Sequence, residues 1–211
     1  MDLTPEKALI FRITHISNVP WILDHGLHSA SSEVKDLNFR PIGDPDLIAK
    51  RSGHVVPAAP GGTISDYVSF YFTPCSPMLY NIKTGHRGIE RVPMRDMAVI
   101  VSSLPALVEC GVQYLFTDCH AYLAEAQFFS DLAELRRIDW KILRDRDFAY
   151  SEEDPGKMQR YQAEALAFRH VPVHALLGIA CYSRAECGTM GEEIERRGLD
   201  LKVVARPGWF F

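Results

Sequence analysis

Residues 160–172, RYQAEALAFRHVP, set one carboxylate, Glu164, in a segment otherwise made of alanine, leucine and phenylalanine. A carboxylate taken out of water without a partner costs several kcal/mol, so Glu164 is solvated, paired or held for chemistry. Read as a strand, the segment turns Tyr161, Ala163, Ala165 and Ala167 to one face and Gln162, Glu164, Leu166 and Phe168 to the other. That pattern puts Glu164 at the lip of a pocket. Read as a helix, the same residues place Glu164 on the wet face, and the alanine and leucine content suits that as well.

Outward from this stretch the punctuation is clearer. SNVPWILDHG predicts a helix of about two turns entered at Ser17 or Asn18 and stopped by Gly26. GDPDLIAKRSG predicts another, with Asp44 as cap, Pro45 next and Gly53 as the stop, which leaves Lys50 and Arg51 at its C-terminal end. Thr4 and Pro5 suggest a helical turn before a strand through LIFRITHI. HVVPAAPGGTIS reads as a loop, and DYVSFYF, MAVIVSS, VQYLFTD, GIACYS and the start of LKVVARPGWFF read as strands. After Pro74 and Pro77 a short helical segment is expected, and GTMGEEIERRG is a second one. Leu123, Ala126, Phe129, Leu132 and Leu135 recur at helical spacing and predict a helix through residues 120–140. Short strands mixed with short helices, without a βαβ period or an internal repeat, give an α+β fold in one domain, residues 1–211.

With 47% hydrophobic residues the chain buries a substantial core. No apolar run is long enough to cross a membrane, and the N-terminal residues lack the regions of a signal peptide, so a cytoplasmic protein with no membrane partner is expected. The five cysteines are scattered without CxxC spacing and read as reduced structural thiols. A net charge of −4 argues against a broad electrostatic grip on duplex nucleic acid and leaves a local basic groove open.

Other constellations are weaker. In FRITHIS, alternation sets Arg12 and Thr14 on one face and His15 on the other, beside Phe11 and Ile13. His15 is then a hydrogen-bonded core histidine or a ligand. TDCH spaces Asp118 and His120 so that, with His15, a metal set is conceivable, while Asp118 as a helix cap is the plainer reading. The turns in SPMLY and PGG cradle a ligand or merely reverse the chain.

Taken together, FRITHISNVPWILDHGLH, PGGTISDYVSFYFTPCSPMLY, FTDCHAYL, IDW, RYQAEAL and the closing GWFF resemble the DarT toxins, which ADP-ribosylate single-stranded DNA. The resemblance covers essentially the whole chain. It implies an ADP-ribosyltransferase fold, with two small sheets meeting around an NAD+ cleft and short helices around them. It also implies that Glu164 is the catalytic glutamate and Arg51 the important arginine. Arg12, Thr14, His15 and Asn18 fall in the nicotinamide-side segment, and Tyr67, Tyr71 and Met78 in the segment lining the cleft. His120 matches a histidine near the DNA side. Residues 148–160 match the substrate-recognition loop, where Phe148 and Tyr150 would stack on bases and Lys157 and Arg160, with Arg144 and Arg146, would follow the backbone. The chain departs from many relatives at Arg12, where they carry histidine, and at Cys75, where they carry arginine.

The resemblance implies NAD+ as co-substrate without a metal, transfer of ADP-ribose to thymine or guanine, and a macrodomain antitoxin of the DarG kind. Three alternatives stay open on the residues alone: a protein- or RNA-directed transferase, a nucleotide- or nucleic-acid-binding module without turnover, and a metal hydrolase on His15, Asp118 and His120.

Overall fold

The computed structural model describes residues 3–211, the Arg87 side chain apart. Among the described residues ten strands form: β1 (Leu9–His15), β2 (Leu27–His28), β3 (Tyr67–Tyr71), β4 (Met97–Ser103), β5 (Tyr114–Thr117), β6 (Phe128–Phe129), β7 (Glu164–Phe168), β8 (His170–Val171), β9 (Gly178–Cys181) and β10 (Lys202–Ala205). Seven α-helices accompany them: α1 (Val19–His25), α2 (Pro45–Ser52), α3 (Pro77–Thr84), α4 (Leu104–Glu109), α5 (Trp140–Asp145), α6 (Lys157–Tyr161) and α7 (Arg184–Arg196).

Eight strands make one ladder in the order β10-β9-β4-β1-β3-β7-β5-β6, and β2 pairs with β8 beside it. β1 runs along β4 from Leu9↔Ser103 to His15↔Met97, and β3 along β7 from Tyr67↔Phe168 to Tyr71↔Glu164. Between these halves β1 meets β3 at the single pair Phe11↔Tyr71. The two expected sheets are thus the two halves of one ladder, joined at one point. That junction aligns Phe11, Tyr71 and Glu164 across three strands.

The α+β reading holds, and several of its local signals do too. Asp44 caps α2 by accepting from Asp46 N and Leu47 N at 2.9 and 3.2 Å, and Arg51 sits in the last turn before Gly53. Gly26 ends α1 at φ +79°, and a Cβ there would lie 2.4 Å from the Val171 carbonyl oxygen. β4 is buried along nearly its whole length between β1 and β9, which explains its unbroken apolar run. Phe11, Phe70, Phe72, Phe116 and Phe210 anchor the core, each worth about 1.5–3 kcal/mol of buried apolar surface. One parallel unit, β9-α7-β10, stands among antiparallel neighbours.

Two expectations are corrected. Residues 120–140 are not one helix: turns lead to β6, a 3-10 helix spans Leu132–Arg137, and α5 starts at Trp140. Asp118 Oδ1 accepts from Gln127 N, β6 pairs with Phe116 and Thr117, and Asp131 caps the 3-10 run through Ala133 N, so each piece has its own local partner. The 160–168 stretch is neither all strand nor all helix. Arg160 and Tyr161 end α6, and the strand begins at Glu164 itself.

Candidate active site

A cleft of about 320 Å³ lies over the β1/β3 junction, with Arg12 and Thr14 from β1, Tyr67, Ser69 and Tyr71 from β3, and Glu164 from the start of β7 in its lining. α2 adds Leu47, Ile48 and Arg51, α3 adds Met78, and Phe39 and Ile42 come from the loop before α2. These walls are aromatic or aliphatic, and the floor is charged.

At that floor Arg51 and Glu164, 113 residues apart, form a forked pair: Nη1 donates to Oε1 at 2.9 Å and Nη2 to Oε2 at 2.6 Å. Glu164 is 2% exposed, and the Arg51 side chain only 16%. Ala121 N donates a further bond to Oε1 at 3.0 Å, and Arg51 Nη2 also donates to Ser69 Oγ at 3.0 Å. Backbone position is set by Thr117 Oγ1, which accepts from Glu164 N at 3.2 Å. Burial pushes the Glu164 carboxyl up, but the charge and hydrogen bonds of Arg51 outweigh it and hold the group at about 2. For Arg51, burial pulls down and Glu164 more than restores the cationic form. The pair is ionised at neutral pH, and its position in the last turn of α2 sets Arg51 at the negative end of the helix dipole.

Arg12 adds a second cation. Its Nη1 donates to Ser69 O at 2.8 Å, and burial together with Arg51 lowers it to about 10, still protonated at pH 7. Tyr71 is raised well above the ordinary phenol range by burial and by Glu164, and is therefore neutral. His120 Nδ1 lies 3.8 Å from Glu164 Oε1 and accepts from Tyr122 N at 3.2 Å, which leaves its proton on Nε2. Burial lowers it, so it is the neutral imidazole that borders the pair.

The structure therefore brings Arg12, Thr14, Arg51, Tyr67, Tyr71, Met78 and Glu164 to one cleft and His120 to its edge. His15 and Asn18 lie behind it. His15 Nδ1 takes bonds from Ser17 N and Ser17 Oγ, at 3.2 and 2.7 Å. Asn18 Nδ2 donates to Thr14 Oγ1 and Arg40 O at 3.1 and 2.9 Å, and its Oδ1 accepts from Arg40 N at 2.9 Å, so it pins the loop that carries Phe39 to β1. Asp118 faces Gln127 N, and among the described residues no three His, Cys, Asp or Glu side chains are placed to hold a metal, which removes the ligand set of the hydrolase alternative.

In the loop before Glu164 the residues diverge. Tyr150 stands 75% exposed, while Phe148 packs 5.1 Å from Tyr161 and 5.8 Å from Tyr80. Lys157 Nζ donates to both oxygens of Asp147 at 2.8 Å, and Arg160 pairs with Asp154 and Asp139, so these cations staple the loop. Arg144 and Arg146 donate to the carbonyls of Leu3 and Gly208. Cys75 is buried beneath the loop, its carbonyl accepting from Tyr161 Oη at 2.9 Å. Ser69, Thr117 and Ala121 also hold the pair and are not among the residues the sequence pattern singles out. Ser69 and Thr117 carried a signal, as the one aliphatic hydroxyl in each of YVSFY and YLFT; the Ala121 backbone donor carried none.

A split sheet with a desolvated arginine–carboxylate pair under an aromatic cleft fits the ADP-ribosyltransferase fold that the resemblance implies. The sequence model of the family described as "ssDNA thymidine ADP-ribosyltransferase, DarT" matches residues 11–211, and the chain belongs to that family. A DNA ADP-ribosyl transferase of Escherichia coli O127:H6 is 47% identical, over 100% of this chain and 96% of its own length. The DarT of Thermus sp. 2.9, solved in complex with ADP-ribosylated ssDNA, superposes with a TM-score of 0.89 at 31% identity, over 98% of both chains; its complex with NAD+ superposes at 0.85 and 32%, over 98% of this chain and 99% of its own. A Thermosipho africanus protein named as a DNA ADP-ribosyl transferase–DNA ADP-ribosyl glycohydrolase fusion is 25% identical over 98% of this chain and 50% of its own length.

Proposed function

We propose that this chain, acting as one domain, transfers ADP-ribose from NAD+ to thymine in single-stranded DNA and releases nicotinamide. The observation that carries the reading is the Arg51–Glu164 pair at the floor of the cleft. The cleft suits NAD+: two guanidiniums, Arg12 and Arg51, match a pyrophosphate, and Phe39, Ile42, Leu47 and Tyr71 match flat rings.

In the reaction the bond from ribose to nicotinamide breaks with its electron pair leaving on nicotinamide, and a bond forms from the same ribose carbon to a thymine ring nitrogen that gives up its proton. The transition state is oxocarbenium-like, and an ionised, desolvated Glu164 stabilises that positive charge electrostatically. While Arg51 holds both carboxylate oxygens, Glu164 is too weak a base to accept the thymine proton. If Arg51 turns toward bound phosphate, burial, the largest influence on Glu164, raises its basicity. A base must leave its stack to reach this floor, which favours a single strand over a duplex.

The named fusion in a relative supports a macrodomain glycohydrolase of the DarG kind as antitoxin partner. Among the described residues no helix is long and apolar enough to cross a membrane, and the five free thiols suit the reducing cytoplasm, where we place the protein. The test is mass spectrometry of oligonucleotides after incubation with NAD+, with one base varied at a time. Thymine-containing single strands should gain one ADP-ribose. A gain on protein or RNA alone, or on guanine alone, would reject the proposed acceptor, and full activity in Glu164→Ala would reject the mechanism.

A further inference from the structure

Beyond the cleft, a line of rings runs from the DNA-side loop across α3. Tyr161, three residues before Glu164, contacts Phe148, which lies 5.8 Å from Tyr80 and 6.0 Å from Phe211. Tyr80 and Phe211 are themselves 5.5 Å apart, and Lys83 Nζ donates to the Phe211 carbonyl. Lys83 also edges a separate groove of about 490 Å³ that holds Arg91, Arg95 and Tyr182 over a floor of Val92 and Met94. α3 links the two sites, carrying Met78 into the cleft and Lys83 into the groove, about 7.5 Å further along its axis.

The charge on this surface is unevenly committed. In the DNA-side loop, Lys157 and Arg160 are taken up by Asp147, Asp139 and Asp154. In the groove, Arg91 Nε donates to the Lys83 carbonyl at 3.3 Å, Lys83 Nζ is taken by the Phe211 carbonyl, and Arg95 favours the ionised form of Glu186 without a direct salt bridge to it. On a chain of net charge −4 this leaves two exposed guanidiniums, Arg91 and Arg95, side by side at the groove. Tyr182, 39% exposed, is held edge-on by Phe210 at 5.9 Å, which fixes its ring as a platform. Cations alternating with presented rings, continuous with the loop before Glu164, suit the phosphates and bases of an unpaired strand. An acidic protein surface would use the cations and leave the rings idle.

We propose that this track, from Tyr150 over Tyr80 to the groove of Lys83, Arg91, Arg95 and Tyr182, binds the nucleotides flanking the modified base. The inference rests on the reading of the chain as a single-stranded-DNA transferase. Its test compares two oligonucleotides carrying one thymine each, one of about five nucleotides and one longer by about ten on each side. The wild type should show a lower KM for the long strand. Arg91→Ala/Arg95→Ala/Tyr182→Ala should raise the long-strand KM about tenfold or more and leave kcat and the short-strand KM unchanged. The slope of log affinity against log salt should fall by about 1.4 for two lost phosphate contacts. Arg91→Lys/Arg95→Lys with Tyr182 intact should restore most of the effect, because a point charge still meets phosphate and the lysine stem still covers Gly85.

Equal KM for both lengths in the wild type, or equal effects of the triple variant on both, would overturn the inference. So would an unchanged long-strand KM in a variant that no longer binds its macrodomain partner, since the groove would then serve a protein. Failure of the wild type to modify either strand sinks the transferase reading as well, whereas modification of both with one KM sinks the inference alone.

Discussion

Glu164→Gln isolates the electrostatics of the cleft floor. The amide keeps the carboxylate's shape and an oxygen for Arg51 Nη1 or Ala121 N, and removes the charge that Arg51 Nη2 meets at 2.6 Å. In the wild type the carboxyl falls from an ordinary 4.5 to about 2, which at about 1.4 kcal/mol per pH unit is worth about 3 kcal/mol of folding stability. Because the folded value lies below the unfolded one, that contribution is complete well above pH 4.5 and is lost as pH falls toward 2. At about pH 3.5 about 1 kcal/mol of it has gone. The glutamine variant has no such ionisation, so its deficit should be about 3 kcal/mol at pH 7 and about 2 kcal/mol at pH 3.5.

Urea unfolding of both proteins at the two pH values measures this, since titrating groups remote from the pair cancel in the comparison and, of its neighbours, Arg51 and Tyr71 do not titrate in this range. A deficit under about 1 kcal/mol at pH 7, or one that does not shrink on acidification, would refute a buried, ionised pair. Turnover should fall at least about a hundredfold, as for loss of a preorganised charge at a transition state, while NAD+ still binds by calorimetry. A variant retaining a tenth of wild-type activity would place the chemistry elsewhere.

Asn18→Ala removes three hydrogen bonds that tie the Phe39 loop to β1 and should cost about 1–3 kcal/mol. Steady-state kinetics should show KM for NAD+ rising more than kcat falls; a pure kcat effect would contradict a positioning role. Gly26→Ala forces a side chain into φ +79° with its Cβ 2.4 Å from Val171 O, and should destabilise by more than about 1 kcal/mol in a thermal scan, an unchanged Tm being the contrary result. Lys157→Ala leaves a half-exposed Asp147, so stability should change by less than about 1 kcal/mol, while KM for the oligonucleotide rises and KM for NAD+ does not.

What could be read in the chain itself was whatever a few neighbouring residues decide. Asp44-Pro45 with Gly53, and Gly26 after WILDH, are local devices whose partners lie within a turn, and both helices end where those residues put them. The 120–140 segment failed for a reason its own spacing contains: Leu123, Ala126, Phe129, Leu132 and Leu135 recur every third residue, nearer the 3-10 period than the 3.6 of an α-helix. Leu132–Arg137 adopts that tighter helix, while Phe128 and Phe129 are claimed by β5.

The Arg51–Glu164 pair was harder still. Glu164 could be flagged as a charge that needs an explanation, but its explanation stands 113 residues away on another helix. Only the register Phe11↔Tyr71↔Glu164 and the close of α2 bring Arg51 over it. The same geometry accounts for the alanines beside the glutamate. Ala163, Ala165 and Ala167 are fully buried, and β7 pairs on both edges, with β3 and β5, so small side chains let it pack as a central strand. The glutamate at its head is desolvated by that packing and ionised by Arg51, and two long-range consequences of the fold therefore set the chemistry of a single residue.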